Sequence, residues 1–195
     1  MGKADALVIA CYLVRRPAKG RALRNAPLPE GVGLVLEIAA NDADAVAFGQ
    51  QFTGHPADQL RQTASFFLEQ VLFTAHADHY RVLGASRAAS TVELRRHMAL
   101  LMRWLHPDAS AAQSPGWFDH HALATRVSAA WHVLKSVERR AAYDATLPDH
   151  AASERVRVSQ AKINGKPIRR ARLSLYPVVR DSVIGRLLLL LPGFK

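Results

Sequence analysis

The sequence predicts an all-α protein: an antiparallel helical hairpin with a short helix at either end, preceded by a small helical module and followed by a basic tail. Three apolar stripes predict it. Leu94, Met98, Leu101 and Leu105 recur at i, i+4, i+7 and i+11. Leu123, Val127, Ala130, Trp131 and Leu134 form a second stripe, and Leu60, Ala64, Phe67, Leu68, Val71 and Leu72 a third. Each is the spacing of a helix with one buried face. The first two are separated by a polar, proline-containing loop (109–117), so they face each other naturally as a hairpin.

Composition sets the outer limits. A chain of 195 residues holds one ordinary domain or two small ones. At 49% hydrophobic and 22% charged it has the balance of a globular protein, not a disordered tail. Its one cysteine, Cys11, excludes an internal disulfide framework and a multi-cysteine zinc site. No apolar run reaches the roughly 20 residues of a membrane-spanning helix.

The net charge of +10 is unevenly placed. A basic N-terminal segment and linker (1–29) carries +5, a small helical module (30–76) carries −5, the hairpin domain (77–147) +3 and the C-terminal tail (148–195) +7. Basic ends suit contact with something acidic, whether phospholipid, nucleic acid or protein; they equally suit plain solvation.

Within the first segment, Ala6 to Val14 is apolar and reads as a short β-like segment or a short buried helix. Val8-Ile9-Ala10-Cys11 loosely resembles a lipoprotein cleavage box, but a secretory signal wants a basic start and about 7–15 apolar residues. Here Lys3 is offset by Asp5, and the stretch before Cys11 is too short. Ala6 also stands where a myristoylation signal wants Ser or Thr. The expectation is a cytoplasmic protein. Residues 15–29, with Pro17, Gly20, Pro27, Pro29 and a cluster of basic side chains, have the composition of a linker.

The acidic module reads as helices. Asn41 or Asp42 caps one running to about Phe52, and Gly54-His55-Pro56 breaks it. The third apolar stripe follows from Asp58. In the hairpin domain, Thr91 opens the first long helix and Pro107 closes it, because a residue before proline disfavours the α conformation. Glu138 to Asp144 forms a short closing segment before Pro148. In the tail, Val156, Val158, Ile163, Ile168, Leu173 and Leu175 allow a weak β-hairpin about Asn164-Gly165-Lys166-Pro167.

No catalytic constellation emerges. His76, His79, His97, His120 and His121 match no metal-ligand spacing, and adjacent histidines on a helix point apart. No nucleophile elbow or glycine-rich phosphate loop is present, Gly31-Val32-Gly33 being too short for one. The expectation is a chain that is not an enzyme and needs no cofactor or metal. The tail has a single aromatic for stacking, Tyr176, so nucleic acid is an improbable partner.

The distinctive motif is His106-Pro107-Asp108, at the hairpin tip. Pro107 stiffens the backbone while His106 and Asp108 offer a hydrogen-bonding ring and an anion; the same residues also suit a helix stop with a solvated turn. The stretch 78–146 resembles the J domain of DnaJ-like co-chaperones. Asp78-His-Tyr-Arg-Val-Leu-Gly84 is similar to that family's opening helix, and Glu93-Leu-Arg-Arg96 starts the second helix at the family's distance from His106-Pro107-Asp108. Ala130 to Leu134 fits the third helix, and Glu138-Arg-Arg-Ala-Ala-Tyr-Asp144 the closing one.

The resemblance implies a co-chaperone that binds a DnaK-type chaperone and stimulates its ATPase through the His106-Pro107-Asp108 loop, with basic residues of the second helix meeting an acidic surface. It implies no client binding, since the glycine/phenylalanine-rich and zinc regions of larger members are missing. The alternative is a degenerate J-like scaffold, for protein interaction or a membrane surface, without ATPase stimulation.

The chain departs from the family pattern on the second helix. Met98, Ala99 and Leu100 replace a tyrosine and two basic residues, Trp104 replaces a frequent lysine, and Trp131 replaces a tyrosine of the third helix. With Leu94 at zero and 100° per residue, Arg95, Arg103 and Arg96 fall at about 100°, 180° and 200°. A reduced basic face therefore survives opposite the core, or these arginines are simply solvated.

Leu100, Trp104 and His97 form an apolar shoulder beside the core stripe, at about −120°, −80° and −60°. The shoulder is expected to pack against the 30–76 module or to serve as an external docking site. In the tail, Arg169, Arg170, Arg172, Arg180 and Arg186 precede or punctuate the apolar run Val183–Phe194, which suggests contact with an anionic membrane surface, or packing of Leu187–Leu191 on the protein's own helices.

Overall fold

The computed structural model describes residues 2–24, 26–106 and 119–147. Every regular element among them is helical. The proposed tail hairpin, the Val183–Phe194 run, Pro107, Asp108 and the loop 109–117 lie outside the described residues.

The N-terminal segment is more ordered than its composition suggests. Helix α1 (Asp5–Arg15) buries Ala6, Leu7, Ala10 and Leu13, so the apolar start is a buried helix and not a strand. A 3-10 turn (Pro17–Lys19) and the short helix α2 (Gly20–Arg24) follow, inside the stretch read as linker. Helix α3 (Val32–Ala39) starts at Gly31, whose φ of 83° places it in the left-handed region that favours glycine. Sequence periodicity did not single out α3: Val32, Val35, Leu36, Ile38 and Ala39 are buried, and Gly33, Leu34 and Glu37 are half-buried, so its sides differ little. It lies among α1 and the later helices, and with Glu37 as its one polar side chain it offers little contrast for a stripe to show.

Asp42, not Asn41, caps helix α4 (Ala43–Thr53), its Oδ1 accepting from the Ala45 N–H at 3.1 Å. Gly54, with φ 73°, ends α4. Helix α5 (Ala57–Val71) buries Leu60, Ala64, Phe67, Leu68 and Val71, the stripe read from sequence, against α1, α3 and α4.

The hairpin domain follows directly. Asp78 caps the short helix α6 (His79–Val82), and Ser90 caps α7 (Thr91–Trp104), its hydroxyl accepting from the Glu93 N–H at 3.1 Å. Asp119 caps α8 (His120–Leu134) through the His121 and Ala122 N–H groups, and α9 (Val137–Thr146) closes the unit.

Ring contacts at both ends show that α7 and α8 run antiparallel. Arg95, near the start of α7, lies 6.0 Å from the ring centre of Trp131 near the end of α8; Trp104, ending α7, lies 5.9 Å from His120, which begins α8. Leu94, Leu101, Leu105, Leu123, Val127, Ala130 and Leu134 are buried between them. Met98 and Trp131, both expected in the core stripes, are only half-buried and sit at their rim.

The helix α9 is held by a polar clasp instead of a buried face. The Arg140 Nε donates to the Tyr80 hydroxyl at 2.8 Å, and its Nη2 donates to the Arg87 and Ala89 carbonyls at 2.7 and 2.8 Å. Tyr80 in turn donates to Asp144 at 2.7 Å, and the His79 N–H donates to the Tyr143 hydroxyl at 3.0 Å. Burial is the main cause that pushes the Tyr80 phenol up, followed by its bond to Asp144.

The module and the hairpin pack as neighbours, α3 lying on α7. Gly84, just after α6, marks how close they come. Its φ is 64°, and a Cβ there would lie 3.0 Å from Val32 Cγ1 on α3 and 3.3 Å from Leu72 Cδ1, at the end of α5. Two arginines complete the junction by binding backbone carbonyls. Arg81 donates to Val71, Ala26 and Leu23 at 2.8, 2.9 and 2.5 Å, and Arg126 to Phe73 and Thr74 at 3.2 and 2.7 Å. Leu23 and Ala26 are thus held by charge-assisted hydrogen bonds, which composition does not reveal.

Candidate functional site

The candidate site is the outward face of α7 and the residues that follow it. Helix α7 buries Leu94, His97, Leu101 and Trp104 and turns Arg95, Arg96 and Arg103 outward. Its C-cap is Leu105, and His106 follows, exposed, its N–H donating to the Arg103 carbonyl at 3.4 Å. Arg103 and His106 are therefore neighbours at the tip, with Arg96 about two turns back along the helix.

The three arginines do not form one uniform stripe. Arg95 leans over Trp131 toward α8. Arg96 pairs with Glu37 of α3, and Arg103 Nη2 donates to the Asn41 carbonyl at 3.4 Å. Two of the three thus reach the acidic module. The Arg96 side chain keeps 68% of its exposure and Glu37 only 19%, so the pair leaves the guanidinium available to solvent while the carboxylate is tucked in. Exposed pairs of this kind contribute at most about 1 kcal/mol.

The apolar shoulder is where the module meets α7. Trp104 is 2% exposed; its indole Nε1 donates to Ser65 Oγ on α5 at 2.9 Å, and its ring stacks on Phe73 with centroids 6.1 Å apart. The last turn of α7, which leads into His106, is therefore anchored on α5. Glu69 lies one turn beyond Ser65 on α5, and burial pushes its carboxyl up to about 7.

His97 is buried beside this contact. Its Nδ1 lies 3.1 Å from the Leu83 carbonyl. A carbonyl can only accept, so Nδ1 carries the proton. Burial lowers the imidazole below its ordinary value, against the smaller opposing effects of the Leu83 carbonyl and Glu93.

Sequence reasoning identified the outward arginines and the shoulder but not their partners Glu37, Asn41 and Ser65. A tryptophan four residues from a leucine beside a core stripe was the available signal. Among the described residues, no group of three or more His, Cys, Asp or Glu side chains is placed to hold a metal ion, and no helix is long and apolar enough to cross a membrane.

Comparison with known proteins bears on the same stretch. The family described as the DnaJ domain matches residues 78–144. The chain is 31% identical over 90 residues to a protein named chaperone protein DnaJ from Rickettsia bellii (strain OSU 85-389), covering 46% of this chain and 23% of that protein. It is 37% identical over 70 residues to one named curved DNA-binding protein from Coxiella burnetii (strain Dugway 5J108-111), covering 36% and 21%. With the chaperone protein DnaJ of Rickettsia prowazekii (strain Madrid E) the identity is 34% over 80 residues, covering 41% and 20%. The chain thus spans about a fifth of the length of the curated relatives it matches. No solved structure matches it.

Proposed function

We propose, taking residues 78–144 as the J domain they form, that this protein is a co-chaperone that docks on a DnaK-type chaperone and stimulates its ATPase. The observation that carries the proposal is the placement of His106: exposed, immediately after α7, beside the outward Arg103, and opening the His106-Pro107-Asp108 motif. Arg95, Arg96 and Arg103 supply positive charge for an acidic partner surface, and such charge steers encounter more than it adds affinity. The chain itself contributes no catalytic group; the reaction belongs to the partner. The proposed place of action is the cytoplasm, including the membrane surface that faces it.

A single-turnover ATPase assay with the host's DnaK-type proteins tests the proposal. Full-length protein is expected to accelerate hydrolysis, and His106→Gln or Asp108→Asn to abolish the acceleration with helical circular dichroism unchanged. Lack of stimulation with every host partner would refute it. A second reading, a J-like interaction scaffold without ATPase stimulation, draws support from the engagement of Arg96 and Arg103 by the module. The same assay separates the two.

A further inference from the structure

The basic side chains of the described residues include distinct sets. Arg81, Arg126 and Arg140 are spent on backbone carbonyls, and Arg61 and Arg96 are paired with carboxylates. A further set has no carboxylate partner: Arg15, Arg16, Lys19, Arg21 and Arg24, all exposed, spanning the end of α1, the 3-10 turn and α2. The contacts seen there are neutral. Arg24 donates to the Gln70 amide oxygen at 2.6 Å, and Arg16 lies over the Tyr12 ring. Five cations within ten residues, with no acidic residue among residues 6–29, form an uncompensated positive corner.

We infer that this corner is a docking site for the surface of an anionic phospholipid bilayer, independently of the function proposed above. Charge alone fits any polyanion; the side chains between the charges decide. Val14 is 44% exposed, and Pro17, Ala18 and Ala22 are exposed beside it. Small apolar groups interleaved with cations suit the headgroup boundary, where the cations meet phosphates and the apolar atoms leave water. A single-stranded nucleic acid asks instead for exposed aromatic faces to stack on. The aromatic residue at this corner, Tyr12, is half-buried beneath Arg16.

The corner is rigidly tied to the J domain. Arg81 of α6 donates to Leu23 and Ala26, which flank the end of α2, and to Val71 of α5. A protein bound to a membrane here presents α6, and the hairpin packed on it, in a fixed orientation to that surface.

The test is co-sedimentation of the full-length chain with vesicles of phosphatidylcholine, with and without phosphatidylglycerol. Wild type is expected to bind only the anionic vesicles, and less as salt is raised. Each basic side chain near such a surface is worth roughly fivefold, about 1 kcal/mol. The variant Arg15→Gln/Arg16→Gln/Lys19→Gln/Arg21→Gln should therefore lose well over about tenfold in partitioning.

Val14→Asn should weaken vesicle binding without changing its salt dependence; these side chains are exposed, so the fold is kept. Absence of wild-type binding would overturn the inference, as would unchanged binding of the quadruple variant, which would assign any association to other residues. Loss of duplex-oligonucleotide binding in that variant, with vesicle binding intact, would overturn it in favour of nucleic acid.

Discussion

The indole N–H of Trp104, two residues before His106, donates to the hydroxyl of Ser65 at 2.9 Å, joining the last turn of α7 to α5 of the acidic module. The bond sits inside an aromatic cluster of Phe73, Trp104 and His120. Through it, a segment outside residues 78–144 supports the end of α7, the helix that leads into His106.

Removing that anchor should be costly. Trp104→Ala is expected to destabilise the full-length protein by about 3–5 kcal/mol, the usual range for emptying a buried aromatic site. Ser65→Ala removes only the acceptor and should cost about 1–2 kcal/mol. Urea denaturation of the two variants checks the order, and equal effects would contradict the packing described.

Releasing Arg96 should alter docking more than stability. Glu37→Gln is expected to change unfolding free energy by less than about 1 kcal/mol, because the pair is largely exposed on the arginine side. The variant should bind an acidic DnaK-type partner up to about fivefold more tightly at low salt. The gain should vanish in Glu37→Gln/Arg96→Gln, and titration calorimetry of both variants reads it.

One buried group and one half-buried group tilt the pH dependence of stability in opposite directions. His97 is lowered in the folded state, so protonation favours the unfolded chain and stability falls as pH drops below about 6.5. Glu69 is raised to about 7 from an ordinary value of 4.5, so full stability is present below about pH 4.5 and is lost as pH rises through about 7. Glu69→Gln should recover on the order of 1 kcal/mol at about pH 8, after allowance for its partial exposure, and nothing near pH 4. Urea midpoints at the two pH values check the sign.

The carbonyl clasp of Arg81 should hold the N-terminal segment. Arg81→Ala leaves the Leu23, Ala26 and Val71 carbonyls without this donor. The expected cost is about 2–4 kcal/mol, with earlier hydrogen exchange across residues 20–28 than across α5. Uniform exchange in the variant would show that this segment is held by something else.

The sequence by itself determined the all-α class, the α4, α5, α7 and α8 helices and the position of His106, because each of these helices buries one face and leaves a periodic stripe. Their caps were legible too, as with Asp42, whose short carboxylate reaches the free N–H groups of the first turn. Only the tertiary structure decided the rest. Helix α3 has no exposed residue and a single polar one, Glu37, to mark a face. Leu23 and Ala26 are fixed by a guanidinium more than fifty residues away in sequence. Arg96 faces outward on the helical wheel, as sequence predicts, yet Glu37 meets it there. Periodicity reports which face of a helix is buried; which neighbour covers it, and which charge waits at its edge, depends on contacts between residues far apart in the chain.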